Sequence, residues 1–297
     1  MGWQTTSDVA EFLGAAGPFL RADRVRNTVL LTVAETIREN PAIHRAGPAA
    51  DPAADPAADP AGLPLFGWRT AEATVRGTFL HTPPFPVLLT AVPAAAAASL
   101  ATETLAGRRL GGVNADPETA EAFAGAWREI TGGRVSEHRR NRLYRLAGLT
   151  WPDPLPDGAP RLAADGDMAL LTDWFGAFAR EVNDFARDAD HTVAVRERLG
   201  YRGFTVWEAD GKPVSLAGVT RQVAGMIRVG PVYTPPESRG YGYASAVTAA
   251  ASEEARAAGA DEVLLFTDLD NPVSNSIYQR IGYRPVEDRA VLSFSER

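Results

Sequence analysis

The sequence predicts an α/β protein of two domains, and three observations carry that reading. The chain has 297 residues, about twice the usual domain length of roughly 150. A proline-rich stretch from Trp151 to Pro160, with prolines at 152, 154, 156 and 160, interrupts it. Proline fixes φ and removes a backbone donor, so the stretch reads as an extended linker. Beyond it the hydrophobic periods and turn residues follow the order α-α-β-β-β-α-β-α-β. The domains are accordingly placed at 1–157 and 158–297.

In the first half, Val25 to Arg38 has helical periodicity. Three Ala-Ala-Asp-Pro repeats fill 49–60; lacking large apolar side chains, they predict a flexible excursion. Ala71 to His81 and Val87 to Val92 read as strands around Pro83-Pro84. Asp116-Pro117-Glu118 starts a helix, an N-cap acid followed by proline at the first helical position. Gly132-Gly133 stops it after about Thr131. His138 to Leu149 reads as a further strand.

In the second half, Asp167 to Val182 and Thr192 to Leu199 read as helices. Phe204 to Glu208 and Val214 to Thr220 form a hairpin about the turn Asp210-Gly211. Met226 to Thr234 is the next strand. Tyr241 to Ala258 is a helix closed by Gly259, and Val263 to Thr267 a buried strand. Asn271 caps a helix that starts at Pro272, runs to Ile281 and stops at Gly282. A strand pair is expected from Tyr283 to Phe294.

Composition removes several kinds of chemistry. The 37 acids and 30 bases leave a net charge of −7, which argues against broad electrostatic binding of nucleic acid or anionic membrane. There is no cysteine, hence no disulfide, thiolate metal site or thiol acyl-enzyme. Lys212 is the one lysine, so no Walker loop can be built. The four histidines (44, 81, 138 and 191) are scattered, and no metal is expected. Arg139, Arg140, Arg142 and Arg145 read as a solvated charged face. Apolar residues make up 45% and charged residues 23%, as in soluble globular proteins. With no basic leader or long apolar run, the expected compartment is cytoplasmic.

The chemistry-bearing stretch is Val229 to Tyr283. A strand leads through Pro235-Pro236-Glu237-Ser238 into Arg239-Gly240-Tyr241-Gly242-Tyr243-Ala244, which opens a helix. Glycines let backbone amides turn tightly and gather at the positive end of a helix dipole, a geometry suited to a diphosphate. Arg239 adds a full charge. Gly230-Pro231 lies inside the preceding strand, where proline cannot join the ladder, so that strand should bulge or part from a neighbour. Asn271, Asn275 and Tyr278 share one face of the last helix.

These residues resemble the GNAT (GCN5-related) N-acetyltransferases. Arg239-x-x-Gly242-x-Ala244 is similar to their Arg/Gln-x-x-Gly-x-Gly/Ala pyrophosphate motif. Asn271 to Tyr278, followed by Ile281-Gly282-Tyr283, resembles their Asn-x-x-Ala/Ser-x-x-x-Tyr helix and Leu-Gly-Phe. The resemblance covers about 135 residues. It implies an α/β (α+β, mixed-sheet) acyltransferase fold in the C-terminal half, and a degenerate copy in the N-terminal half. It implies acetyl-CoA as donor and a primary amine as acceptor, expected on a small molecule, with aminoglycosides, amino acids, polyamines, secondary metabolites and protein amines left open; the charge balance argues against nucleic-acid and membrane partners. Val232, Tyr233 and Thr234 would meet the pantetheine arm. The amides of Arg239, Gly240, Tyr241, Gly242, Tyr243, Ala244 and Ser245 would hold the diphosphate, and Asn271 or Asn275 would contact the cofactor. Tyr278 would protonate the leaving thiolate, since a phenol of pKa about 10 keeps its proton at neutral pH.

One departure stands out. Many family members carry a glutamate on the strand before the phosphate loop, whereas Met226 to Tyr233 has no acid. Asp268 and Glu208 become the candidate bases, each with a surface acid as its plainer reading. A CoA-binding module without turnover is therefore the main alternative. A dinucleotide fold fits less well: the Pro-Pro loop separates strand from turn, and Asp268 is a late match for the ribose-binding acid. The helix at Asp116 is taken as the first domain's counterpart of the phosphate-binding helix, and its acids would repel a diphosphate. That half is thus expected not to bind CoA.

Overall fold

The computed structural model describes residues 2–39 and 63–296, so the repeats at 49–60 lie outside it. The chain forms two compact units, Met1–Arg142 with Glu287–Arg297, and Leu143–Val286.

The first run of elements is β1 (Trp3–Thr6), α1 (Val9–Ala22), α2 (Thr28–Glu39), β2 (Leu65–Ala71), β3 (Thr74–His81), β4 (Val87–Leu89), α3 (Ala94–Ser99), β5 (Gly112–Ala115), α4 (Pro117–Thr131) and β6 (Arg134–Leu146). The second is β7 (Ala159–Leu162), α5 (Met168–Glu181), α6 (Thr192–Gly200), β8 (Phe204–Ala209), β9 (Lys212–Val219), β10 (Met226–Tyr233), α7 (Tyr243–Ala257), β11 (Glu262–Asp268), α8 (Pro272–Arg280) and β12 (Tyr283–Ser295). Both runs read β-α-α-β-β-β-α-β-α-β. The order is the same although the two halves share no visible sequence motif.

Each unit has a mixed sheet. In the first, β1 to β5 follow in sequence, and β12 lies beside β5; only β4 and β5 pair parallel among these. In the second, β7 to β11 follow in sequence, and β6 lies beside β11, with β10 and β11 parallel. The first unit is thus completed by the end of the chain, and the second by the last residues of β6.

Alternation along the strands explains the layers of the second unit. Val206 and Leu216 join Leu171, Trp174, Val195, Phe204 and Tyr233 in a core under α5 and α6. Their neighbours Trp207 and Ala217 join Ile227, Val229, Val247, Tyr278 and Tyr283 in a core under α7 and α8. Successive strand residues point to opposite faces, so one apolar sheet serves two helical layers. The first unit's core gathers Phe79, Leu89, Val113, Phe123, Trp127 and Leu292.

Several expectations need correction. The proline-rich stretch does not separate the compact units; they part at 142/143, because β6 carries the buried Tyr144 and Leu146 into the second core. Tyr283 to Ser295 is one strand rather than a pair. The reading from Ala71 to His81 is two strands about a turn at Glu72 and Ala73, both with positive φ. The element order also corrects the counterpart of the phosphate-binding helix. It is α3, which lies between the parallel strands β4 and β5 as α7 lies between β10 and β11. The helix at Asp116, α4, corresponds to α8. Asp116 accepts from the Thr119 amide at 3.1 Å and Asn271 from the Ser274 amide at 2.9 Å, each followed by proline.

The arginine run on β6 meets acids. Arg140 pairs with Glu137 at 2.8 Å, Arg142 with Asp288 at 2.6 Å and Arg145 with Glu262 at 2.6 Å. Among the described residues no helix is long and apolar enough to cross a membrane, and no three histidine or acidic side chains are grouped as metal ligands.

Candidate active site

The second unit opens a slot where its central strands separate. The parallel register of β10 and β11 runs from Met226↔Glu262 to Val229↔Leu265 and stops there, although both strands continue. On its other edge β10 shifts register against β9 between Val229 and Val232. Gly230 and Pro231 sit at that point; the φ of 152° at Gly230 and the missing donor of Pro231 suit a bulge better than a ladder. Val232 and Tyr233, expected along the pantetheine arm, lie beyond the parting. Thr234 follows, its hydroxyl 2.8 Å from Ser215 Oγ, and Ser215 Oγ donates to the Tyr233 carbonyl at 3.1 Å.

The strand then leads into the loop expected to hold a diphosphate. Gly240 and Gly242 have φ of 88° and 87°, and a Cβ on Gly240 would meet nothing within 4 Å. Both lie in the left-handed region that glycine occupies without penalty. Gly242 is the N-cap of α7, and no side chain caps that helix. The amides of its first turn therefore point outward without a protein cap, with the positive end of the helix dipole behind them. Tyr241 is exposed and stacks on Tyr243 at 5.7 Å. The side chain of Arg239 donates from Nε to the Thr234 carbonyl at 2.9 Å and from Nη2 to Glu181 Oε2 at 2.7 Å. Ser245 and Ala246 are buried in the helix behind the loop.

Beside the slot, α8 follows β11. Asn271 Oδ1 serves as the helix cap. Asn275 Nδ2 donates to the carbonyls of Asp268 (2.7 Å) and Asn271 (2.8 Å), while its Oδ1 accepts from the Tyr144 hydroxyl at 2.8 Å. Both side-chain amides thus bond within the protein. Tyr278 is 9% exposed and belongs to the core under α7 and α8. Burial pushes its phenol up to about 12, with the nearby Ser274 hydroxyl opposing. The tyrosine stays protonated throughout the neutral range.

The candidate bases fare differently. Glu208 Oε2 accepts from Arg161 Nε at 2.6 Å, and the same guanidinium donates to both oxygens of Asp167 at 2.7 and 2.9 Å. Arg161 is raised by its hydrogen bonds to Asp167 and Glu208, and Asp167 is held below its ordinary range by Arg161. Glu208 is thus tied to a cation rather than open to an incoming amine. Asp268 is half-buried at the end of β11, and its Oδ1 accepts from the Asp270 amide at 2.9 Å. Sequence reasoning missed Tyr144, which lies on a strand from before the proline-rich stretch and carries no motif.

The first unit's equivalent of the slot is filled. The register of β4 and β5 ends at Leu88↔Asn114. There Arg289 Nη2 donates to the carbonyls of Leu89 (3.1 Å) and Asn114 (2.8 Å), and its Nε to Asn114 Oδ1 (2.9 Å). Arg289 is 5% exposed. Further along, Thr119 Oγ1 accepts from the Val92 amide and donates to the Val92 carbonyl, both at 3.2 Å. The connection into α3, Thr90-Ala91-Val92-Pro93, has neither glycine nor cation. Among the described residues no side chain bonds to Gly230, Pro231 or Val232 in the same manner.

Comparison with known proteins agrees with this architecture. Residues 168–283 match the model of the acetyltransferase (GNAT) family. No curated protein matches the chain. Solved structures align along nearly its whole length. One is a Drosophila protein, 12% identical, covering 99% of this chain and 98% of its own at a TM-score of 0.66. An acetyltransferase of the GNAT family from Colwellia psychrerythraea is 11% identical, covering 100% of both chains at 0.56. A GCN5-related N-acetyltransferase from Sphaerobacter thermophilus is 15% identical, covering 99% and 95% at 0.53. At these identities the structures show a shared fold. With the parted parallel strands, the uncapped helix and the family-model match in one unit, residues 168–283 form a domain of the acetyltransferase (GNAT) family.

Proposed function

We propose that the second unit transfers an acetyl group from acetyl-CoA to a primary amine by direct attack in a ternary complex. The observation that carries this reading is the slot between β10 and β11 ending at an uncapped, glycine-led helix. The fit is chemical: open space beside Gly240 and outward amides on α7 match a diphosphate. When bound, acetyl-CoA supplies an activated thioester.

The chain's own residues do the rest. The amides from Gly240 to Ser245 hold the diphosphate, since that of Arg239 is bonded to the Pro236 carbonyl, and the Arg239 side chain adds charge once it leaves Glu181. Backbone groups of Val232, Tyr233 and Thr234 align the arm, and the amides around the bulge polarise the carbonyl. Tyr278 would give its proton to the sulfur that the attacking amine displaces from the acetyl carbon, and would regain one from water. The amine's proton goes to Asp268, directly or through water, because Glu208 is held by Arg161. Asn271 and Asn275 serve by fixing α8 rather than by touching the cofactor. The acceptor is a small molecule and the compartment the cytoplasm.

A CoA-binding module without turnover is the second reading. It is favoured by a β10 that bears no acid and a Glu208 bound to arginine. Calorimetry with CoA, then thiol release from acetyl-CoA over a panel of amines, separates the two. Binding with thiol release that falls in Tyr278→Phe supports the transferase. Binding without release on any amine supports the module, and no binding removes both.

A further inference from the structure

We infer that Tyr144 is a positioning residue that sets the orientation of Tyr278 toward the departing thiolate; the inference rests on the proposed transferase reading. Tyr144 is fully buried on β6. Its hydroxyl donates to Asn275 Oδ1 at 2.8 Å and accepts from Gln279 Nε2 at 3.1 Å. Asn275 in turn donates to the Asp268 and Asn271 carbonyls. Every polar atom of the Asn275 side chain therefore has a partner: two on the loop leaving β11, one on β6.

The consequence follows from the length of α8. It spans only Pro272–Arg280, too short to hold its place by its own hydrogen bonds. External bonds must fix its rotation and height. Tyr144 supplies them on two turns, at Asn275 and Gln279, and Tyr278 lies between those positions. The Tyr144 ring is 6.5 Å from that of Tyr278. The Tyr283 ring is 6.2 Å from that of Tyr278, and its own hydroxyl is 2.7 Å from Ser252 Oγ of α7. Tyr278 thus neighbours two tyrosines whose hydroxyls are each anchored. Removing the Tyr144 hydroxyl leaves Asn275 Oδ1 without its donor and frees α8 to turn, while the buried ring keeps the core filled.

The test uses the intact chain with CoA itself, so no acceptor is needed. The thiol pKa of bound CoA is read from thiolate absorbance, beside the calorimetric Kd. A tyrosine aimed at the sulfur stabilises the thiolate. Tyr278→Phe should therefore raise the bound thiol's pKa by about one unit. Tyr144→Phe should raise it by about half a unit, with Kd within twofold, and should add nothing in the Tyr278→Phe background. Gln279→Ala, at an exposed position, removes one bond to the same hydroxyl and should give a smaller shift of the same sign. It serves in place of Tyr144→Phe if that variant fails to fold. A shift from Tyr278→Phe with none from Tyr144→Phe or Gln279→Ala overturns this inference alone, as does a shift that persists undiminished without the Tyr278 hydroxyl. No shift from Tyr278→Phe overturns the assigned role of Tyr278 and this inference with it. Absence of CoA binding by the wild type overturns the transferase reading as well.

Discussion

Cutting the chain at the proline-rich stretch should yield a C-terminal fragment that does not fold. A fragment of residues 158–297 lacks the part of β6 that lies beside β11 in the second unit. It loses Tyr144, fully buried, and Leu146, 5% exposed. Emptying a buried aromatic site costs about 3–5 kcal/mol and a buried leucine site about 2–5 kcal/mol. The loss of about 5–10 kcal/mol is comparable with the roughly 5–15 kcal/mol that stabilises a whole domain. Residues 287–297, which the fragment retains, belong to the first unit and replace none of this. A fragment of residues 143–286 keeps the strand. The assay is urea unfolding followed by near-ultraviolet circular dichroism, with CoA calorimetry on both fragments. We expect cooperative unfolding and CoA affinity in 143–286 and neither in 158–297. A cooperative transition in 158–297 with the affinity of the intact chain would refute the argument that β6 completes the site.

Three further outcomes follow from the site and its surroundings. Gly242→Val should weaken CoA binding about tenfold, since a β-branched residue at φ of 87° costs about 1–2 kcal/mol and moves the amides of α7; unchanged affinity by calorimetry would place the diphosphate elsewhere. Glu181→Gln should tighten CoA binding up to about fivefold at low salt, because the half-exposed pair it makes with Arg239 is worth at most about 1 kcal/mol and must open for the phosphates; weaker binding would mean that Glu181 aims Arg239 instead. His81 is 1% exposed, and burial, aided by the charge of Arg108, lowers its pKa from 6.5 to about 4. Between those values the unfolded chain binds more protons than the folded one, so stability falls as pH drops from about 6.5 to about 4, by roughly 2 kcal/mol at pH 5. Urea midpoints at pH 7 and pH 5 should therefore differ more in the wild type than in His81→Gln, and equal differences would contradict the shift.

What the sequence revealed, and what it hid, divides along local and non-local lines. The glycine loop before α7, the Asn271-Pro272 and Asp116-Pro117 helix starts, and the hairpin at Asp210-Gly211 were legible because each rests on a few adjacent residues. The parting of β10 was legible because Pro231 cannot donate. The helix α1 was hidden by Pro18 in its interior, and α3 by an alanine run that composition alone could explain. The place of β6 and β12 in the sheets could not be read at all, because partner choice depends on residues far away along the chain. The same holds for the candidate site. Tyr278 carries a motif, whereas Tyr144 acts through Asn275, 131 positions along the chain. The resemblance implied Asn271 or Asn275 as a cofactor contact, and the bonds each makes within the chain could not be read from the motif.

The duplicated element order raises the question of why one unit opens a slot and the other does not. In both, two parallel strands part, leaving backbone groups that a sheet would normally pair. Buried backbone groups need partners. In the first unit they find them in side chains: Arg289 bonds the carbonyls of Leu89 and Asn114, and Thr119 bonds both polar groups of Val92. An arginine that is 5% exposed thus bridges the two strands where their register ends. In the second unit, among the described residues, no side chain bonds Gly230, Pro231 or Val232; Ser215 and Arg239 bond only the Tyr233 and Thr234 carbonyls further on, and the loop ends on an uncapped helix. The difference between the two units is thus the identity of the partner offered to the parted strands, a side chain in one and, on the proposed reading, the amide-bearing arm of a cofactor in the other.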